Sequence, residues 1–204
     1  MGMALQLTTV SDVTIERVLA DPPLVWQLVA PEEPELYDNA RRENSPQTSF
    51  LGRLLGKKPP PPERPPDLML SPAEGKSTDL DKAWHGLHYL LTGSAWGGDP
   101  PLNFLAAGGR EVGDLEVGYG PARVFSAAET RAVRDALARL TDEDLRARFD
   151  ADAMTAAEIY PDVIWKRVPP EDDPLGYLLE HSVTLRAFLE DAVAARVGFV
   201  VALM

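Results

Sequence analysis

The sequence predicts an α+β fold, a helix-rich single domain over residues 1–204 with a small sheet that includes the N- and C-terminal strands. Met3 to Val10 is rich in apolar and β-branched residues, which is typical of a strand. Phe199 to Met204 is continuously apolar and predicts a second strand, buried on both faces. Between the two, helical patterns dominate, which argues against a regular alternation of strands and helices.

The helices are predicted from their starting residues. Ser126 with Glu129, and Thr141 with Asp144, have the spacing of capping boxes, and the first of these helices should continue to Leu140. Further helices are expected to begin at Ser11, at Asp21, at Ala151 and at Asp173. The last of them should be long and should end at Gly198, because glycine accepts the left-handed conformation that closes a helix.

The remaining segments are predicted to be less regular. Residues 31–49 are charged and polar and predict a loop, and residues 50–55 could form a short amphipathic helix. Six of the eight residues in 59–66 are proline, so residues 56–66 are expected to form an extended proline-rich surface loop. Residues 110–125 contain several glycines and predict short strands joined by turns, and the GYGPAR turn at 118–123 could approach a ligand with its backbone.

The segment from Leu80 to Ser94 carries the strongest functional signal. Thr78 with Asp81 has the spacing of another capping box, and Gly93 is a natural helix terminator. An apolar stripe on the predicted helix must face the core; it consists of Leu80, Trp84, Leu87 and Leu91.

A polar stripe lies beside the apolar one and contains Asp81, His85, His88 and Thr92. His88 lies nearest the apolar stripe and is expected to be half-buried, whereas His85 should lie toward solvent. These groups could bind a metal ion or perform acid–base chemistry. The spacing of the histidines, three residues with no glutamate between them, differs from that of helical zinc pairs, so no metal site is predicted.

Composition narrows the classes of partner. The net charge is −12, from 32 acidic and 20 basic residues, which argues against nucleic acid and anionic membranes and suits either solubility or a basic protein partner. The absence of cysteine excludes disulfides and thiol chemistry. No signal peptide or long apolar run is evident, so a cytoplasmic protein is expected.

Several motifs resemble those of the YfbM-like family, bacterial proteins of unknown function. The central motif of that family matches Asp81, Lys82, Trp84, Leu87, His88, Leu91, Thr92 and Gly93. Further matches are MGM at residues 1–3, Pro101 and Leu102 with Gly108, GYGPAR at 118–123, and AEIYP at 157–161. The resemblance covers nearly the whole chain except residues 31–66. It implies an α+β fold, and it implies no activity, substrate or cofactor.

Two functional hypotheses follow. The first is an acidic binding protein with a basic protein partner, which the charge and the absence of nucleophile and cofactor motifs favour. The second is an enzyme of undefined class with a pocket around His88, which a histidine near a glycine-rich turn favours. The candidate pocket or contact residues are His88, Lys82, Trp84, Tyr119, Glu158 and Tyr160. No cofactor and no metal are predicted.

Overall fold

A five-stranded antiparallel sheet organises the protein. The computed structural model describes residues 2–44, 67–169 and 172–204. The strands are β1 (Leu5–Val10), β2 (Ser77–Asp79), β3 (Arg110–Glu116), β4 (Pro121–Phe125) and β5 (Gly198–Leu203), in the spatial order β2-β1-β5-β4-β3. The N- and C-terminal strands pair along their full length, from Leu5 opposite Leu203 to Val10 opposite Gly198. This confirms the predicted α+β class with both terminal strands in one sheet.

Helices cover both faces of this sheet. They are α1 (Asp12–Ala20), α2 (Trp26–Val29), α3 (Pro34–Glu43), α4 (Ala83–Thr92), α5 (Ala127–Leu137), α6 (Asp142–Arg148), α7 (Ala151–Ala156) and α8 (Pro174–Ala195), with a 3-10 turn at Pro22–Val25. Leu5 and Leu7 of β1 join the core built around α4 and α8, whereas Val10 joins the core under α1 to α3. Because alternate residues of a strand point to opposite faces, β5 is buried on both faces, as predicted.

Local capping signals located α5 and α6 correctly. The Ser126 and Thr141 hydroxyls accept the backbone N–H groups of Glu129 and Asp144, and the two carboxylates bind back to the cap residues. Helix α5 ends at Leu137, three residues before the predicted Leu140. The capping boxes predicted at Ser126 and Thr141 are therefore both present.

Other boundaries were predicted wrongly. Residues 34–43 form helix α3, where a polar loop was expected, because its buried stripe is limited to Tyr37 and Ala40 and leaves a weak apolar signal. Helix α8 ends at Ala195 with left-handed Arg196, and the predicted terminator Gly198 opens β5 instead. A side chain at Gly198 would collide with the Phe125 carbonyl of β4, so this glycine serves strand packing. The predictions for residues 50–55 and 56–66 fall outside the described residues.

Helix α4 packs closely at Gly86. A Cβ atom there would lie 2.6 Å from Trp165 and 2.7 Å from Leu178. Trp165 cannot move aside easily, because its indole N–H donates to the Ile159 carbonyl at 2.6 Å. The absence of a side chain at position 86 therefore sets how near α4 lies to α8 and to the segment that follows α7.

We expect Gly86→Ala to destabilise the protein, although alanine is the better helix former by about 1 kcal/mol. Overpacking of a rigid core costs about 1–3 kcal/mol and should outweigh the gain in helix propensity. Urea denaturation followed by tryptophan fluorescence measures the change. A midpoint equal to that of the parent, or higher, would show that the contact with Trp165 relaxes freely.

Candidate functional site

Helix α4 carries most of the candidate residues, and its start differs from the prediction. Thr78 pairs with Leu7 in the sheet, so it is not available as a helix cap. The helix begins after Lys82, without a side-chain cap. Asp81 instead accepts a hydrogen bond from the Tyr177 hydroxyl at 2.9 Å, and that hydroxyl accepts the Lys82 backbone N–H at 3.1 Å. The predicted capping box is therefore wrong, and Asp81 ties the start of α4 to α8.

The end of α4 follows the prediction. Gly93 adopts the left-handed conformation at φ 72° and closes the helix. Arg148 of α6 donates to the carbonyls of Leu90 at 2.9 Å and Leu91 at 3.2 Å, two of the groups that a helix end leaves without partners.

His85 is fully buried, so its predicted position toward solvent is wrong. Its Nδ1 accepts the Tyr160 backbone N–H at 2.9 Å, which leaves Nε2 to carry the proton and donate to the Ala95 carbonyl at 2.7 Å. Burial lowers the pKa of this imidazole below 6.5, and the bond to Ala95 opposes that shift. The neutral ring thus joins α4 to two loop segments.

Aromatic rings enclose His85. The Trp84 ring stacks on it with centroids 4.7 Å apart and planes 10° apart, and Trp96 lies 4.3 Å away on a tilted plane. Trp84 is buried, whereas Trp96 is 60% exposed. Trp96 and the Tyr160 segment cover the side of α4 that the helical pattern assigned to solvent.

His88 is also fully buried, where a half-buried ring was predicted. Neither of its ring nitrogens forms a hydrogen bond with a described residue. Burial, together with neighbouring His85 and Arg123, lowers the pKa of His88 to about 4, and the Gly97 backbone opposes the shift without completing a hydrogen bond. At neutral pH both histidines of α4 are therefore uncharged.

Lys82 and Tyr160 meet at the N-terminal segment. A Cβ atom at Gly2 would lie 2.7 Å from both the Lys82 Cε and the Tyr160 hydroxyl, so the chain passes closely between these two side chains. The Tyr160 hydroxyl accepts the Met3 backbone N–H at 3.0 Å. Trp84 lies nearby, with its ring centroid 6.5 Å from that of Tyr160.

Tyr119 and Glu158 are not part of this cluster. Tyr119 lies in the turn between β3 and β4, is 53% exposed, and donates its backbone N–H to Leu203 at 2.7 Å. Gly118, at φ 75°, approaches Leu203 so closely that a Cβ would collide with its carbonyl. The backbone of this turn thus packs against β5. Glu158 is exposed in a left-handed turn at φ 53°, and no hydrogen bond joins it to His88.

Arg123 was not singled out from the sequence. Its guanidinium donates to four backbone carbonyls at 2.6 to 3.0 Å, those of Phe104, Leu105, Ala107 and Gly108. Burial lowers its pKa to about 10, and Glu111 opposes the shift, so it stays charged. The sequence shows Arg123 at the end of the GYGPAR turn, but only the fold shows that it binds the carbonyls of the loop before β3.

A groove of about 440 Å³ lies between the edge strand β2 and helix α8. Its walls include Thr9, Thr78, Val183, Thr184, Ala187 and Asp191. His88 lines neither this groove nor the cavities beside Trp26, Arg134 and Arg167. This groove is a feature that the sequence did not reveal, because β2 is three residues long and has no apolar pattern.

A family model described as a domain of unknown function, DUF1877, matches residues 1–202. The chain belongs to the DUF1877 family. It is similar to a solved structure of YfbM from Escherichia coli, a protein of unknown function, with 17% identity over 98% of this chain and 99% of that chain and a TM-score of 0.60. The predicted resemblance to the YfbM-like family is therefore confirmed. No curated protein matches the chain.

In this DUF1877 protein, residues 2–44, 67–169 and 172–204 contain no group of three or more His, Asp or Glu side chains close enough together to hold a metal ion. Within the same residues, no helix is both long and apolar enough to cross a membrane.

We expect His88 to make stability depend on pH. Its pKa is about 6.5 in the unfolded chain and about 4 in the fold, so the unfolded state binds more protons between these values. The stability gained by keeping the ring neutral is complete above about pH 6.5 and is lost as pH falls toward 4.

Urea denaturation of the parent and of His88→Leu between pH 7 and pH 4 tests this expectation. Leucine has no proton to bind and leaves no unpaired nitrogen, so the variant should gain stability relative to the parent as pH falls. Parallel stability curves would contradict the expectation.

Proposed function

We propose that this protein is a binding protein whose partner is a basic protein. Its net charge of −12 attracts a positively charged surface and speeds association with it. The groove between β2 and α8 is the observation that carries the proposal, because it pairs an accessible concave surface with the Asp191 carboxylate in its wall.

Two carboxylates of α8 accompany the groove. Asp191 lines its wall, and Glu180 lies on the same stripe of α8 eleven residues earlier. Both are exposed, and neither forms a salt bridge with a described residue. Lys76 is the basic residue of the wall.

The enzymatic alternative depended on a pocket around His88. The described cavities leave His88 outside their walls, and both of its nitrogens are enclosed by the core. Acid–base chemistry requires the imidazole to reach a substrate directly or through one water molecule. The burial of His88 thus supports binding over catalysis.

Capture of partners from cells of the source organism tests the proposal. The immobilised protein should recover one recurrent basic protein, and the yield should fall as ionic strength rises. The double variant Glu180→Gln/Asp191→Asn should lose most of this yield. Asp114→Asn/Glu116→Gln is a control with the same charge change on β3, at the other edge of the sheet, and should retain it.

Two results would contradict the proposal. One is recovery of no basic protein at low ionic strength. The other is equal loss in both double variants, which would show that total charge matters and that the groove does not.

A further inference from the structure

Strand β2 has one edge without a partner in the described sheet. It pairs with β1, in the register Leu7 opposite Thr78, and is terminal in the strand order. Leu80 donates its N–H to Leu5, so Thr78, two residues earlier, also directs its backbone groups toward β1. The backbone N–H and C=O groups of Ser77 and Asp79 therefore point away from the sheet, and no described residue binds these N–H groups.

The groove lies beside this edge on the face that α8 covers. Residues directly opposite in a sheet share a face, and Leu7 belongs to the core around α4 and α8, so Thr78 faces α8. A further strand would lie about 4.8 Å outside β2. Its residue opposite Thr78 would then point toward Val183 and Ala187 of the groove wall.

The wall favours small or β-branched apolar side chains from such a strand. Val183 is 59% exposed although it lies in the middle of α8, and Ala187 leaves space beside it. Thr9 and Thr184 add methyl groups and hydroxyls. The volume of about 440 Å³ lies in the range of ligand pockets, roughly 300–1,000 Å³.

The acidic residues near the groove favour basic residues on either side of these apolar side chains. Asp79 and Asp81 lie at one end of β2, and Glu180 and Asp191 lie along α8. The basic residue nearby is Lys76, at the other end of β2. Alternate residues of an added strand that point away from the groove, and residues at its ends, would be best matched by Lys or Arg.

We propose that the outer edge of β2 binds an extended segment of a basic protein as an additional strand, with small apolar side chains in the groove and Lys or Arg flanking them. This rests on the proposed function and adds the mode of binding. The main-chain bonds of Ser77 and Asp79 would supply affinity, and the groove would supply the preference for side chains.

A short peptide in which Lys alternates with Val tests the proposal. Its control has the same sequence and charge, with alternate backbone nitrogens methylated so that one strand edge cannot donate hydrogen bonds. Titration calorimetry should give at least about tenfold weaker binding for the methylated peptide, a difference of about 1.4 kcal/mol. In NMR hydrogen exchange, the amides of Ser77 and Asp79 should gain protection when the unmethylated peptide binds.

Two chain variants locate the site. Ala187→Arg places a long cation in the groove and should weaken binding of the peptide at least about tenfold. Ala132→Arg adds the same residue at an exposed alanine of α5 and should leave it nearly unchanged. Both positions are exposed on helices, where arginine is well tolerated.

The outcomes separate the mode of binding from the proposed function. Equal binding of both peptides, or equal affinity of both variants, would overturn strand addition while leaving a charge-driven partner in place. Absence of peptide binding would also overturn strand addition, whereas the capture experiment decides the proposed function separately. Protection of Ser77 and Asp79 by self-association without peptide would show that a second copy occupies the edge, and would overturn the inference too.

Discussion

The neutral ring of His85 is the interaction on which the surroundings of α4 depend. Of the ten residues of that helix, eight are buried, including both histidines, so α4 is enclosed on nearly all sides. A charged imidazole there would be costly, and an unpaired one would lose hydrogen bonds to water. The His85 ring accepts a hydrogen bond from the Tyr160 backbone N–H and donates one to the Ala95 carbonyl. Both ring nitrogens are therefore satisfied, and the two segments that cover the helix are held in place.

This role explains several family-like motifs as packing features. Gly2 of MGM passes closely between Lys82 and Tyr160, and the AEIYP segment supplies the N–H that His85 accepts. The Arg123 guanidinium donates hydrogen bonds to four backbone carbonyls of the loop before β3. These residues hold α4 and the loop before β3 in place, whereas the surface proposed for binding lies on β2 and α8.

The features that could be predicted from the sequence are those set by residues close together in the chain. The capping boxes at Ser126 and Thr141 depend on residues three apart. The continuous apolar sequence of β5 is by itself enough to predict that this strand is buried on both faces. Predictions were wrong where a residue's environment is set by residues distant in sequence. Thr78 pairs with Leu7, which lies 71 residues earlier in the chain, and His85 is buried by segments that helical periodicity cannot show. The groove was missed for the same reason, since it exists only where α8 crosses β2.

The tautomer and titration of His85 test this account most directly. Long-range ¹⁵N NMR of the imidazole distinguishes a proton on Nε2 from one on Nδ1, and follows the ring as pH falls. The account predicts the Nε2–H form at neutral pH and titration below the ordinary value, because burial lowers the pKa. A proton on Nδ1, or titration near 6.5 in the folded protein, would contradict it and would mean that His85 does not join Tyr160 to Ala95.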